Sequence, residues 1–264
     1  MNLREKLRGR APVFGTWTSL GHPSITEVFT RTGADFVGID IEHSTINQEQ
    51  SQRIIAAAQA GGCRCLPRVS SHSGEQIRRV LDSGADGVIV PNVSSRAEVE
   101  KLVESVKYPP EGKRSYGVAR AQGYGFDFAG YVSEWNLRSV LIVQIESAAG
   151  VERVEEIAGH PAVDGAMVGP YDISGSLGIP GQLEHPRVQE ACRRVVEACR
   201  RLGKACGTQL VEPTGAKVAD ALEAGYTFVV LSSDVFLLWK WGEGMRRIVE
   251  EHRRPVGERV ARHA

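Results

Sequence analysis

A short phrase recurs along this chain: a glycine that stops a helix, one to three small or polar residues, then a run rich in β-branched residues. It reads Gly33-Ala-Asp-Phe-Val-Gly-Ile-Asp, Gly84-Ala-Asp-Gly-Val-Ile-Val-Pro and Gly225-Tyr-Thr-Phe-Val-Val-Leu-Ser, with a looser copy at Asp164-Gly-Ala-Met-Val-Gly-Pro. Glycine ends a helix by taking the left-handed conformation, and the next residues enter a buried parallel strand. Repetition of the phrase marks serial βα units. Eight apolar runs fit the pattern, at 13–18, 36–42, 64–69, 87–92, 139–146, 165–169, 205–210 and 227–232. The clearest helix spans 186–202, where Val188, Ala191, Cys192, Val195, Val196, Cys199 and Leu202 keep i, i+3, i+4 spacing between Pro186 and the stop at Gly203.

Eight parallel strands with helices between them predict an α/β chain folded as a closed (β/α)8 TIM barrel, one domain over residues 1–264. A doubly wound open sheet is the competitor, but it normally carries a G-x-G-x-x-G first turn, and none is present. Two stretches break the repeat. Residues 108–137, rich in Gly, Tyr and Arg, are too long for a plain connection and are expected to form an irregular excursion over the barrel mouth. From about residue 235 a helical tail holds Trp239, Trp241 and Met245 before a charged end. So much aromatic surface on a terminal helix is expected either to contact another subunit or to pack on its own barrel.

Composition removes several function classes. Lys+Arg and Asp+Glu are both 32, which argues against nucleic acid or an anionic membrane as partner. The start, Met1-Asn-Leu-Arg-Glu-Lys-Leu-Arg, has no apolar core of a signal peptide, and no apolar run is long enough to span a bilayer. The five cysteines are odd in number and lack a C-x-x-C pair, so reduced thiols in the cytoplasm are expected, with Cys192 and Cys199 as core residues.

In a barrel, chemistry gathers at the carboxyl ends of the strands. Here those ends carry Trp17, then Asp40-Ile-Glu42-His43, Pro67-Arg68, Gln144-Ile-Glu146, Gly169-Pro170-Tyr171-Asp172 and Gln209. Period-two alternation places Asp40 with Glu42, and Gln144 with Glu146, on one face. Charges in a barrel mouth need a counter-charge or a metal. One cation between Glu146 and Asp172 would satisfy both and, with all-oxygen ligands, would be Mg²⁺ or Mn²⁺; salt bridging or helix capping is the alternative. Arg68 is either a planar double donor for a carboxylate or enolate oxygen, or a structural bridge to Asp40 or Glu42. His43, three residues after Asp40, is either a base whose tautomer that Asp fixes, or a cap. Tyr116, Arg120 and Tyr124 either meet a ligand or pack their loop. None of the lysines lies inside a candidate strand, which disfavours imine chemistry.

These residues sit in segments whose order and spacing form a pattern. The segments are Gly15-Thr-Trp17, Ile39-Asp-Ile-Glu-His43, Pro67-Arg68, Leu81-Asp82-Ser-Gly-Ala, Val90-Pro91, Tyr108-Pro-Pro-Glu-Gly-Lys-Arg114, Ala119-Arg-Ala-Gln-Gly-Tyr-Gly125, Val143-Gln-Ile-Glu146, Gly169-Pro-Tyr-Asp-Ile-Ser174 and His185-Pro186. From Gly15 to about residue 250 the chain resembles the class II, metal-dependent pyruvate aldolases of the HpcH/HpaI family. The resemblance implies reversible cleavage of a 4-hydroxy-2-oxo acid to pyruvate and an aldehyde through a pyruvate enolate. It also implies a divalent metal (Mg²⁺, Mn²⁺ or Co²⁺) on Glu146 and Asp172, and no organic cofactor. Arg68 would hold pyruvate and stabilise its enolate, and Asp40 with His43 would handle the proton. Trp17, Gln144 and Ser174 would line the pyruvate pocket, with Gln209 toward the aldehyde. Asp82 would reach a neighbouring subunit's site in a hexamer, a trimer of dimers, with exchanged terminal helices. Ser115, Tyr116 and Gln209 depart from the family pattern and bear on aldehyde choice. The competing expectations are an acyl-CoA lyase or oxaloacetate decarboxylase on the same site, or a keto-acid-binding barrel without catalysis.

Overall fold

The structure, a computed structural model, describes residues 1–253. The charged end of the tail, 254–264, lies outside the described residues. Eight parallel strands close on themselves in chain order: β1 (Val13–Thr18), β2 (Phe36–Asp40), β3 (Arg64–Arg68), β4 (Gly87–Val90), β5 (Val140–Ile145), β6 (Gly165–Val168), β7 (Ala205–Leu210) and β8 (Phe228–Ser233), which pairs back onto β1. Every expected strand is present, with ends within two residues. Around the barrel run α2 (Pro23–Thr30), α3 (Gln48–Ala60), α4 (Gly74–Asp82), α5 (Arg96–Val106), α6 (Phe128–Arg138), α7 (Ala148–Glu152), α8 (Val154–Ala158), α9 (Pro170–Ser176), α10 (Pro186–Arg201) and α11 (Gly215–Glu223). A short α1 (Leu3–Arg8) precedes β1 and a long α12 (Asp234–Arg253) comes after β8. No helix among the described residues is long and apolar enough to cross a membrane.

The recurring phrase has a structural job at the amino ends of the strands. Gly33 and Gly84 take φ of 81° and 107° and turn the chain out of a helix. The third residue of the phrase then clasps the preceding strand. Asp35 donates its amide to Phe14 O and accepts Phe14 N on its carboxylate at 2.9 Å. Asp86 does the same to Cys65, as does Asp164, the first residue of the looser copy, to Leu141; Thr227 clasps Cys206 through its amide and hydroxyl. Each even strand thus satisfies the first free peptide groups of the odd strand before it. Helix α1 covers this end. Leu3 and Leu7 join the barrel-interior cluster, while Arg4 and Arg8 both pair with Asp164, at 2.8 and 2.7 Å.

Inside the barrel, aromatic rings cross where glycines leave room. A Cβ on Gly15 would lie 2.3 Å from the ring of Phe36, one on Gly38 2.2 Å from Trp17, and one on Gly207 2.0 Å from Phe228. The lower interior is therefore filled, and among the described residues the carboxyl ends of the strands are where the inward side chains are polar.

Residues 108–137 do not cross the mouth, contrary to the sequence expectation. They hold a kinked 3₁₀ segment, Arg120–Gly125, and continue into the regular helix α6. The segment packs at the amino end. Buried Arg114 pairs with Asp82 at the end of α4 (2.7 Å) and lies over the rings of Tyr108, Tyr131 and Trp135. Arg120 reaches Gln59 Oε1 and Ser83 O, at 2.6 and 3.0 Å. Tyr108, Tyr131 and Trp135 instead surround a buried guanidinium, while Tyr124 is exposed. Ser115 and Tyr116 belong to the same segment, with Tyr116 stacked on Tyr108 at 4.8 Å.

Candidate active site

The strand pleat brings the polar residues together. The inward sides of β1, β2, β3 and β5 carry Trp17, Asp40, Arg68 and Gln144 at their upper ends, and Glu42 and Glu146 lie just past strand ends. Arg68 is the hub. Its guanidinium pairs with Asp40 (Nη2 to Oδ2, 2.8 Å; Nε to Oδ1, 3.2 Å) and lies 3.3 Å from Glu42 Oε2. It also sits 5.2 Å from the centre of the Trp17 ring. The structural bridge weighed from sequence is therefore present. A guanidinium with five donors keeps capacity beyond these contacts.

Beside this hub is a second carboxylate centre. Glu146, 9% exposed, accepts Gln144 Nε2 on Oε1 at 3.1 Å and the backbone amide of Asn92 on Oε2 at 2.8 Å. Burial pushes its carboxyl up to about 7, and the negative charges of Glu42 and Asp172 add to the rise. Glu42 is likewise raised by burial, against the pull of Arg68. A Cβ on Gly169 would lie 2.7 Å from Glu146 Cγ, so glycine there leaves the carboxylate its place. Asp172, in the first turn of α9, is exposed and close enough to act on both Glu146 and Glu42. Arg68 thus pairs with Asp40 and Glu42 and its charge also reaches Glu146, while Asp172 acts on both glutamates. Trp17 Nε1 and Gln144 Oε1 are buried without a hydrogen-bond partner. A surplus of oxygen anions with an orphaned amide oxygen is the donor set of a hard divalent cation. Among the described residues no three His, Cys, Asp or Glu converge on one point, so Glu146 and Asp172 would provide two ligands and leave the rest to water or substrate.

Other expected site residues sit differently. Asp40 does not hold the His43 ring: its Oδ1 accepts the His43 backbone amide at 3.1 Å, closing a turn just past β2. That turn swings the imidazole outward, 70% exposed, with Nε2 3.7 Å from Glu42 Oε2. Ser174 is buried, and its hydroxyl is engaged within its own loop, donating to Tyr171 O and accepting from Gly181 N. Gln209 lies half-buried on the inward face of β7. Asp82 is at the opposite end of its own barrel, tied to Arg114.

The arrangement can be set against known proteins. The sequence profile of the HpcH/HpaI aldolase/citrate lyase family matches residues 13–240. The chain belongs to this family. It is 37% identical over 241 residues to a hydroxypyruvate/pyruvate aldolase of Paraburkholderia phytofirmans, covering 88% of this chain and 91% of the relative. It is 35% identical over 222 residues to a 5-keto-4-deoxy-D-glucarate aldolase of Escherichia coli, covering 84% and 86%. The crystal structure of an HpcH/HpaI aldolase/citrate lyase family protein from Burkholderia cenocepacia superposes with a TM-score of 0.87 at 32% identity, covering 96% of this chain and 99% of that one. As a member of the HpcH/HpaI family the chain is an aldolase-type lyase on a parallel barrel. Two features of its site escaped the reading of the sequence. Glu42 was read as the period-two partner of Asp40 and as a possible bridge partner of Arg68, but not as a charge acting on Glu146. The Asn92 amide, aimed at Glu146 from a residue with φ of 50°, leaves no signature in side-chain pattern.

Proposed function

We propose that the protein is a divalent-cation-dependent aldolase that reversibly cleaves a 4-hydroxy-2-oxo acid to pyruvate and an aldehyde. The observation that carries this reading is the mouth cluster itself: a guanidinium paired with Asp40 and Glu42 beside the buried Glu146, on which the charges of Glu42 and Asp172 act. Glu146 and Asp172 would hold Mg²⁺, Mn²⁺ or Co²⁺, which when bound supplies Lewis-acid polarisation of the 2-oxo group. The inward Arg68 guanidinium binds that end of the substrate and opposes the negative charge that develops on its oxygen. Asp40 fixes Arg68 through two contacts and fixes the chain leading to His43. The His43 imidazole, its Nε2 3.7 Å from Glu42 Oε2, takes the proton from the 4-hydroxyl in cleavage and returns it in condensation. Trp17 and Gln144 wall the pyruvate end, Ser174 shapes the neighbouring loop, and Gln209 faces the aldehyde end.

We further propose a homohexamer, a trimer of dimers with exchanged terminal helices, working in the cytoplasm. Its support is the apolar surface of α12, where Leu237, Leu238, Trp239, Trp241 and Ile248 are half-exposed or more. Asp82 lies at the far end from its own mouth and meets a mouth only in a second copy. Five buried cysteines without a disulfide fit a reducing compartment. The test is pyruvate with a panel of hydroxylated aldehydes, assayed with and without chelator. Condensation that stops in chelator and returns with Mg²⁺, Mn²⁺ or Co²⁺ supports the reading; full turnover in chelator refutes it.

A further inference from the structure

Strand β8 is one residue longer than β1 where the two meet at the mouth. Gly15 pairs with Val230 and Trp17 with Ser233, so two steps on β1 face three on β8. Ser232 sits in this bulge at φ 64°, a conformation that a side-chain-bearing residue adopts only when its surroundings impose it. Its hydroxyl donates to Val211 O at 2.8 Å. A bulge bends its strand and re-aims the side chains beyond it. Here it delivers Asp234, the first residue of α12, to the corner just after β1.

The Asp234 carboxylate is 4% exposed and fully engaged. It accepts Thr18 Oγ1 at 3.1 Å, Ser19 N at 2.9 and 3.0 Å on its two oxygens, Leu20 N at 3.0 Å and Val235 N at 2.8 Å. Starting α12 does not require the first three, since Ser233 Oγ already accepts Phe236 N. Those three donors are the residues directly after Trp17, the ring that faces Arg68 and fills the room left by Gly38. We infer that Asp234 is a positioning residue: it locks the corner after β1, sets the Trp17 ring against Arg68, and ties that geometry to the seating of α12. Hydrogen bonds to a buried carboxylate are stiff, and losing them frees three consecutive residues next to the pocket.

The kinetic part rests on the proposed 2-oxo acid chemistry. Asp234→Asn keeps the size and one acceptor oxygen, whereas Thr18→Val removes a single hydrogen bond at nearly constant shape. Asp234→Asn is expected to raise KM for pyruvate about tenfold with kcat changed less than about threefold, the mark of lost binding geometry. Thr18→Val moves KM the same way by about two- to threefold. In both variants the amides of Ser19 and Leu20 exchange hydrogen faster. A lower melting temperature with unchanged KM overturns the inference, as does unchanged amide exchange. If Asp234→Asn does not fold, Thr18→Val carries the test. If the wild-type chain turns over no 2-oxo acid, the functional reading fails. The lock is then decided by amide exchange and by the near-ultraviolet dichroism of Trp17, taken as the difference from Trp17→Phe; no change in either signal overturns it.

Discussion

Arg68 has two occupations that mutation can separate. It neutralises Asp40 and Glu42, and it offers a planar fork to the mouth. Arg68→Lys keeps the charge and loses the fork, so kcat/KM should fall by about 10²–10³ with little change in thermal midpoint. Arg68→Ala also strands two mostly buried carboxylates and should cost about 3–5 kcal/mol of unfolding free energy. Steady-state kinetics beside urea unfolding distinguishes the two; wild-type kcat/KM in Arg68→Lys would remove the fork from the mechanism. Lys107 gives a residue-scale prediction away from the mouth. It is fully buried, with Nζ donating to Asn136 O, Ser139 O and Ser139 Oγ. Burial, then the nearby Arg4, push its ammonium down to about 8 from 10.5. Between those values the unfolded chain binds more protons, so this group makes stability rise as pH climbs through that window. Lys107→Met should remove the rise, seen as a wild-type-minus-variant difference in unfolding free energy that grows from pH 8 toward 10.5. Inward positions such as Trp17, Asp40 and Gln144 were legible in the sequence because the pleat fixes which side each residue takes. The His43 ring was not, since it lies after a turn beyond the strand end, where a backbone hydrogen bond decides its direction.

At the scale of elements, strands and clasps are the legible part. Apolar runs and glycine stops located every strand, because a buried parallel strand has little freedom in composition. The segment between α5 and β5 was misplaced to the mouth for an equally physical reason. Tyr, Arg and Gly content says that rings and cations will meet, but not at which end of the barrel. Packing between strands makes its own prediction. A Cβ on Gly207 falls inside the Phe228 ring, so Gly207→Ala should destabilise by about 1–3 kcal/mol. Adding Phe228→Leu to Gly207→Ala should recover part of that loss, giving a favourable coupling in a double-mutant cycle measured by urea denaturation. Additive losses would mean that the ring and the glycine do not share the space.

For the whole molecule, cation binding and assembly should appear as stability. A divalent ion that binds the folded chain alone raises the unfolding free energy by about 2.7 kcal/mol at a hundredfold excess over Kd. Glu146→Gln and Asp172→Asn should each abolish most of the resulting shift in Tm, and a shift that survives both places the ion elsewhere. The aromatic tail was expected either to contact another subunit or to pack on its own barrel; Leu237, Leu238, Trp239 and Trp241 are half-exposed or more in the single chain, and the proposed assembly would cover them. Sedimentation of the wild-type chain beside Trp241→Lys checks it: a smaller species in the variant is the expected result.

The clasps at Asp35, Asp86, Asp164 and Thr227 all sit at the amino end of the barrel, opposite its own mouth. The foundations of this enzyme and its chemistry are therefore written in different residues. Loops on the upper rim can be lengthened, shortened or exchanged without disturbing the joints that hold the staves together. A lineage built this way can try new aldehydes while keeping the same cask.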